Sequence, residues 1–187
     1  AERTAINFIG YLSGIATETR RYVDAAAGRL EVLDTRKTLP GYRALAKYAV
    51  RVGGGANHRI GLYDMVLIKD NHIDSAGGIA KAIQAVREAW GTRYRVEVEC
   101  RSIDDVREAL ECGVDVIMLD NMDTATMRRC TALRRGAIEF EASGNVTLGR
   151  IPEIAETGVD SVSVGALTHS VRSFDFSFRA GDAHGGR

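Results

Sequence analysis

The chain has 187 residues, 45% of them apolar and 27% charged, the balance of an ordinary globular protein long enough for one well-buried core and cramped for two full domains. Twenty-five Lys and Arg offset twenty-five Asp and Glu, which argues against a globally basic surface for nucleic acid or anionic membrane and makes any anion site a local concentration of charge. Three cysteines, Cys100, Cys112 and Cys130, form no CxxC and read as reduced, buried thiols of a cytoplasmic protein rather than a disulfide or zinc scaffold; no membrane-length apolar run or signal peptide is visible.

The chain opens on "AERTAINFIGYL", already helical in pattern, with no initiator Met and no N-cap, and reads as the continuation of something upstream. Ala5, Ile9, Leu12, Ala16 and Val23 recur at helical spacing, with Gly28 the expected C-cap. Strands are then predicted at 30–34, 65–69, 94–99, 114–120, 137–143 and 160–165, and amphipathic helices at 41–52, 78–90, 102–112, 123–135 and 150–157. Ser102 with Asp105 has the pattern of a capping box, and Gly113, Gly136 and Gly158 fall where helices should stop. The "GGG" at 53–55 is neither a P-loop, since no GKS or GKT follows, nor GxGxxG, since His58 takes the last position. It reads as a flexible bend that positions His58 and Arg59. The final "RAGDAHGGR" is expected to be disordered.

Strands alternating with helices imply a parallel sheet with right-handed crossovers, either an open doubly wound sheet or a barrel. Polar residues inside the strands favour the barrel. Glu97 and Glu99 share one strand face and can point inward, while Val96 and Val98 on the other meet the helices. The predicted strand ends Asp34, Lys69, Glu99, Asp120, Ser143 and Gly165 would share one rim, the face where barrels place their chemistry. Asp70 and His72 could mimic metal ligands, but that signal is weak. On periodicity alone this is a barrel enzyme with a phosphate-type ligand.

The strings "LDTRKTLPG" (33–41), "KYAVRVGGGANHRIGLYDMVLIKDNH" (47–72), "VEVE" (96–99), "MLDNM" (118–122), "EASGNVTL" (141–148) and "VGALTHS" (164–170) together resemble the quinolinate phosphoribosyltransferase family, also called nicotinate-nucleotide pyrophosphorylase (carboxylating). The resemblance implies a TIM-like, open and incomplete α/β barrel of the type II phosphoribosyltransferases. It divides the chain into a helix at 1–28 leading from an N-terminal sandwich domain, a catalytic barrel at 29–171 and a segment at 172–187 returning toward that domain. The implied reaction joins quinolinate to 5-phosphoribosyl-1-pyrophosphate (PRPP) and yields nicotinate mononucleotide, pyrophosphate and CO2, a step of NAD biosynthesis.

Carried over position by position, the resemblance gives Arg36, His58, Arg59 and Lys69 to quinolinate, with Arg3 arriving from a second subunit of a homodimer. It gives Lys37, Lys69, Glu99 and Asp120 to catalysis, with Glu99 and Asp120 also holding Mg²⁺. Ser143, Gly144, Asn145, Gly165, Ala166 and His169 go to the PRPP phosphate. Arginine suits carboxylates because its planar fork binds them bidentately. Two other readings stay open: a sister enzyme acting on another pyridine carboxylate, and an aldolase forming a Schiff base on Lys69.

Overall fold

A computed structural model describes residues 1–179, so the predicted disordered tail lies outside the described residues except for Arg179. Helix α1 (Glu2–Ala26) leads into strand β1 (Glu31–Leu33) and helix α2 (Arg43–Val52). Then come β2 (Val66–Ile68), α3 (Asp70–Ala76), α4 (Ile79–Trp90), β3 (Val96–Cys100), α5 (Ile103–Glu111), β4 (Val116–Asp120) and α6 (Thr124–Thr131). The chain continues through β5 (Glu139–Ser143), a 3-10 turn (Leu148–Arg150), α7 (Ile151–Ala155), β6 (Ser161–Ser163) and α8 (Ala166–His169). All six strands are parallel, in the order β1-β6-β5-β4-β3-β2. Edge strands β1 and β2 do not pair with each other, so the barrel is open along one seam.

The alternation read from the strands holds. Val96, Val98, Ile117, Leu119, Phe140 and Ala142 are wholly buried between sheet and helices, each such aliphatic side chain contributing about 1.5–3 kcal/mol relative to exposure. The register sets Glu99 beside Met118, and Met118 beside Glu141. These residues face the barrel axis, with Glu97 one layer below and Asp120 beside Ser143 one layer above.

Local signals account for several boundaries. Ser102 Oγ accepts from Asp105 N–H at 3.1 Å, and Asp105 Oδ2 accepts from Ser102 N–H at 3.0 Å, closing the expected capping box. Helix α1, however, stops one residue before its predicted cap: Ala27 takes the left-handed position (φ 50°), and Gly28 only continues the turn. The strands begin one or two residues inside their predicted bounds; β4 and β5 end where predicted, β1, β2 and β6 end one or two residues early, and β3 runs on to Cys100. Helix α6 ends at Thr131, not 135. Three short elements carried no periodic signal: α3, the 3-10 turn and α8 are too short for one. Of the three thiols expected to be buried, Cys112 is only half-buried, because it closes α5 at the surface.

The glycine triplet is not the flexible bend that was expected. A Cβ on Gly53 would lie 2.5 Å from the Ala16 carbonyl oxygen, and one on Gly55 2.8 Å from Thr19 Cγ2, so these glycines let the bend press against α1. The segment then runs beside β1: Ala56 N–H donates to Val32 O (2.8 Å) and Asp34 N–H to Ala56 O (3.2 Å). Arg59 reaches across to the Met65 carbonyl just before β2 (3.2 Å). Residues 53–60 thus occupy the seam. At the other end, Phe174 N–H donates to Gly10 O (3.1 Å), and a Cβ on Gly14 would lie 2.4 Å from Arg172 O. The C-terminal segment therefore lies along α1.

Candidate active site

A cavity of about 740 Å³ opens at the carboxyl ends of the strands. One wall carries Thr35, Arg36 and Lys37 from the loop after β1, His58 and Arg59 from the seam, and Lys69 from the end of β2. Glu99, Asp120 and Asn121 follow on β3 and β4; Ser143, Gly144, Asn145, Gly165, Ala166 and His169 close the circle, with Leu67 and Met118 as apolar floor. Every site residue expected from the sequence therefore lines one cavity, except Arg3, which is exposed in the first turn of α1. Asp70 and His72 do not line it either. His72 Nδ1 accepts from Lys69 N–H (3.0 Å) and helps cap α3, a structural role.

Among the described residues Arg36 Nε is buried without a hydrogen-bond partner, an orphan donor in a cavity wall. Burial first, and then the charge of Arg36, lowers the pKa of the Arg59 guanidinium. Two guanidiniums held close enough to repel are a feature that a dianion would relieve. Lys69 Nζ meets Glu99 Oε2 at 2.6 Å. The contact ties the side chain at the end of β2 to the end of β3 and holds it at the cavity.

The phosphate side is built from small residues. Gly144 has φ 91°, and a Cβ there would meet the Asn121 side chain at 2.4 Å; one on Gly165 would meet His169 Nε2 at 2.9 Å. Both substitutions would close the approach to backbone N–H groups. Asn145 Nδ2 donates to Asn121 Oδ1 (2.9 Å), and Asn121 Nδ2 donates to Asp120 Oδ2 (2.8 Å). Both asparagines are left-handed, at φ 47° and 53°. This chain orients Asp120, which lines the cavity together with Glu99 on the adjacent strand. Carboxylate oxygens are the donor type that Mg²⁺ takes, one or two of them together with substrate phosphates.

Beneath the wall lies a layer that sequence reasoning had not assembled. Lys47, 3% exposed, pairs with the wholly buried Asp34 and donates to His58 O at 2.7 Å. Asp34 also accepts from Asn57 Nδ2 (2.7 Å) and from His58 N–H (2.9 Å). Burial raises the Asp34 carboxyl, and the Lys47 ammonium and the two N–H donors pull it back part of the way. Asp34 had been expected on the rim; it serves from below, because β1 ends at Leu33 and the seam segment covers the next residue.

His58 Nε2 lies 3.0 Å from Glu97 Oε2 and 3.5 Å from Glu141 Oε2. Burial lowers its basicity, but the two carboxyl groups outweigh this and raise it overall. Glu141 is pushed up to about 8, by burial and then by Glu97. Lys47, Asn57, Glu141 and Asn121 were missed. Only Glu141 had a signal: it precedes Ser143 by two, as Glu97 precedes Glu99, and so shares the inward face.

A parallel barrel, open along one seam, with cations, carboxylates and glycine-lined loops on its carboxyl rim defines an anion-handling α/β-barrel enzyme. Residues 15–179 match the quinolinate phosphoribosyl transferase C-terminal domain, and the chain belongs to that family. It is 49% identical over 177 residues to the probable nicotinate-nucleotide pyrophosphorylase (carboxylating) of Bacillus subtilis, an alignment covering 94% of this chain and 61% of that protein. A Synechocystis protein of the same name is 51% identical over 169 residues, covering 88% and 57%. Among solved structures, NadC from Streptococcus pyogenes superposes with a TM-score of 0.92 at 46% identity, covering 96% of this chain and 63% of that one. The chain thus spans about three fifths of these relatives' length. A nicotinate-nucleotide pyrophosphorylase from Pyrococcus furiosus, with a TM-score of 0.70 and 20% identity, shares the fold.

Proposed function

We propose that this chain forms the catalytic barrel of a phosphoribosyltransferase that joins quinolinate to PRPP and releases pyrophosphate and CO2, giving nicotinate mononucleotide. The observation that carries the reading is that Arg36, with its orphan Nε, and Arg59 line one cavity together with the glycine-containing loops after β5 and β6. The arginines suit a dicarboxylate and the glycine loops a phosphate. The names of the relatives support the same chemistry.

Arg36 and Arg59 take the two carboxylates, with His58 beside them in the wall, its Nδ1 accepting the Arg59 N–H and its Nε2 facing Glu97. Lys37 and Lys69 hold the pyrophosphate or the carboxylates, and Ser143, Gly144, Asn145, Gly165, Ala166 and His169 receive the 5-phosphate. As the ribosyl bond breaks, positive charge grows on the sugar carbon, and Glu99 and Asp120 face it. Glu99 and Asp120 would also hold Mg²⁺, which would neutralise charge on the departing pyrophosphate. Ribosylation precedes decarboxylation: the pyridinium so formed stabilises the carbanion left by CO2 loss, and free quinolinate lacks that charge.

Arg3 completes the site from a second copy. It lies in the first turn of a 25-residue helix, and such a helix spans roughly 36 Å at 1.5 Å per residue. A two-fold homodimer with shared sites, working in the cytoplasm, is the assembly we propose.

Calorimetric titration tests the reading: quinolinate should bind more tightly than nicotinate, which offers one carboxylate to two arginines. Equal affinity would overturn the choice of substrate.

A further inference from the structure

Beneath the anion cavity lies a second one of about 430 Å³, at the amino ends of the strands, and His58, Arg59, Glu97 and Glu141 line it. His58 and Arg59 line both cavities and so form the partition between them. Glu97 and Glu141 are 0% and 2% exposed. Both carboxylate oxygens of Glu97 and Oε1 of Glu141 are buried with no partner of ideal hydrogen-bond geometry among the described residues, and none of the roles in the proposed reaction uses these side chains.

The three side chains converge closely enough to suggest a metal site, but the ring geometry decides otherwise. His58 Nδ1 accepts the Arg59 backbone N–H at 2.8 Å. An acceptor at Nδ1 obliges the neutral ring to carry its proton on Nε2, the nitrogen that faces the glutamates. A protonated Nε2 offers a metal no lone pair. It is instead a donor, 3.0 Å from Glu97 and 3.5 Å from Glu141, and off the line of an ideal bond to Glu97, as expected of one N–H placed between two acceptors.

We propose that Glu97 and Glu141 are positioning residues for Arg59, acting through His58. They hold the Nε2–H tautomer, that tautomer presents an acceptor at Nδ1, and the acceptor fixes the Arg59 backbone, from which the guanidinium projects into the anion cavity. The ring's backbone is pinned separately, through Asp34 and Lys47. Glu97 and Glu141 therefore set the ring's protonation and tilt, and not the path of the chain. Only the last link, from Arg59 to a substrate carboxylate, rests on the proposed function.

Two measurements test it. In the whole chain labelled with ¹⁵N-histidine, His58 should show a protonated Nε2 and an unprotonated Nδ1. Glu97→Leu should lose that tautomer preference and shift the Arg59 amide, and Glu97→Gln, which keeps an acceptor oxygen, should recover it. A protonated Nδ1 in the unsubstituted chain overturns the proposal even if no variant folds. In calorimetry, Glu97→Leu should weaken quinolinate binding about tenfold, as loss of a supporting group typically does, while inorganic pyrophosphate affinity stays within about twofold. Equal loss for both ligands would mean a merely structural role and would also overturn it. If Arg59→Ala leaves quinolinate affinity unchanged, the functional reading fails, while the histidine spectrum still decides the relay.

Discussion

Replacing Lys47 by Met removes an ammonium from beneath the site while nearly keeping the volume of the side chain. The lysine is 3% exposed and its partner Asp34 is fully buried, so the change strands a carboxylate in the interior. Breaking a buried ion pair from one side costs about 3–5 kcal/mol. Asp34 keeps its donors from Asn57 and from the His58 N–H, which places the cost near the lower end, about 3 kcal/mol. For a domain of this size each kcal/mol lowers Tm by about 2–4 °C, a fall of about 6–12 °C. The sign with pH follows from Asp34. Its folded-state carboxyl is already raised by burial and rises further without the ammonium. The folded variant then binds a proton that the unfolded chain gives up, so stability is retained at acid pH and lost as pH rises through the folded value. The gap to the parent should be smallest near pH 4 and widest at neutrality, read by calorimetry across that range. Adding Asp34→Asn should recover much of the loss, because no charge is left unpaired. A fall in Tm under about 2 °C, or a double variant no more stable than Lys47→Met, would refute the reasoning.

Arg36→Ala and Arg59→Ala should each weaken quinolinate binding at least about tenfold, the worth of one charge-assisted contact of about 1.5–3 kcal/mol, while Asp120→Ala mainly lowers turnover; titration and steady-state kinetics separate the two. Glu141→Gln should flatten the dependence of stability on pH. The carboxyl's folded value near 8 lies well above the unfolded one, so the parent loses stability as pH rises toward 8, and urea melts at pH 5 and pH 8 should differ less in the variant. Gly14→Ala should destabilise by about 1–3 kcal/mol, since its Cβ would meet the Arg172 carbonyl at 2.4 Å; an unchanged urea midpoint would mean that the C-terminal segment does not lie along α1. In a full-length homodimer, Arg3→Ala and Lys37→Ala should each abolish activity, and their re-equilibrated mixture should regain about a quarter of wild-type sites, because half of the dimers are hybrids with one intact site. No regain despite subunit exchange would remove Arg3 from a shared site.

The sequence by itself determined the class of fold and most of the rim. Alternation of strand and helix is a local, periodic property, and an inward or outward side follows from the parity of a residue within its strand. Glu97, Glu99, Val96 and Val98 could therefore be sorted without coordinates, and Arg36, Lys69 and Asp120 fell where strands should end. What parity cannot give is which residues meet across the barrel. Lys47 looked like one more lysine on an amphipathic helix until α2 packed it against Asp34. The triplet at Gly53 read as slack chain until α1 was seen pressed against it. His58 reads from the sequence as one more residue of the ligand's wall; only the fold shows its Nδ1 accepting the Arg59 N–H and its Nε2 facing two buried glutamates. Each of these depends on partners 11 or more residues away, apart from the neighbouring Arg59. Hydrogen bonding and burial are pairwise quantities that no single position carries. Tertiary packing decides them, because only the folded chain fixes which polar group loses its water and which neighbour replaces it.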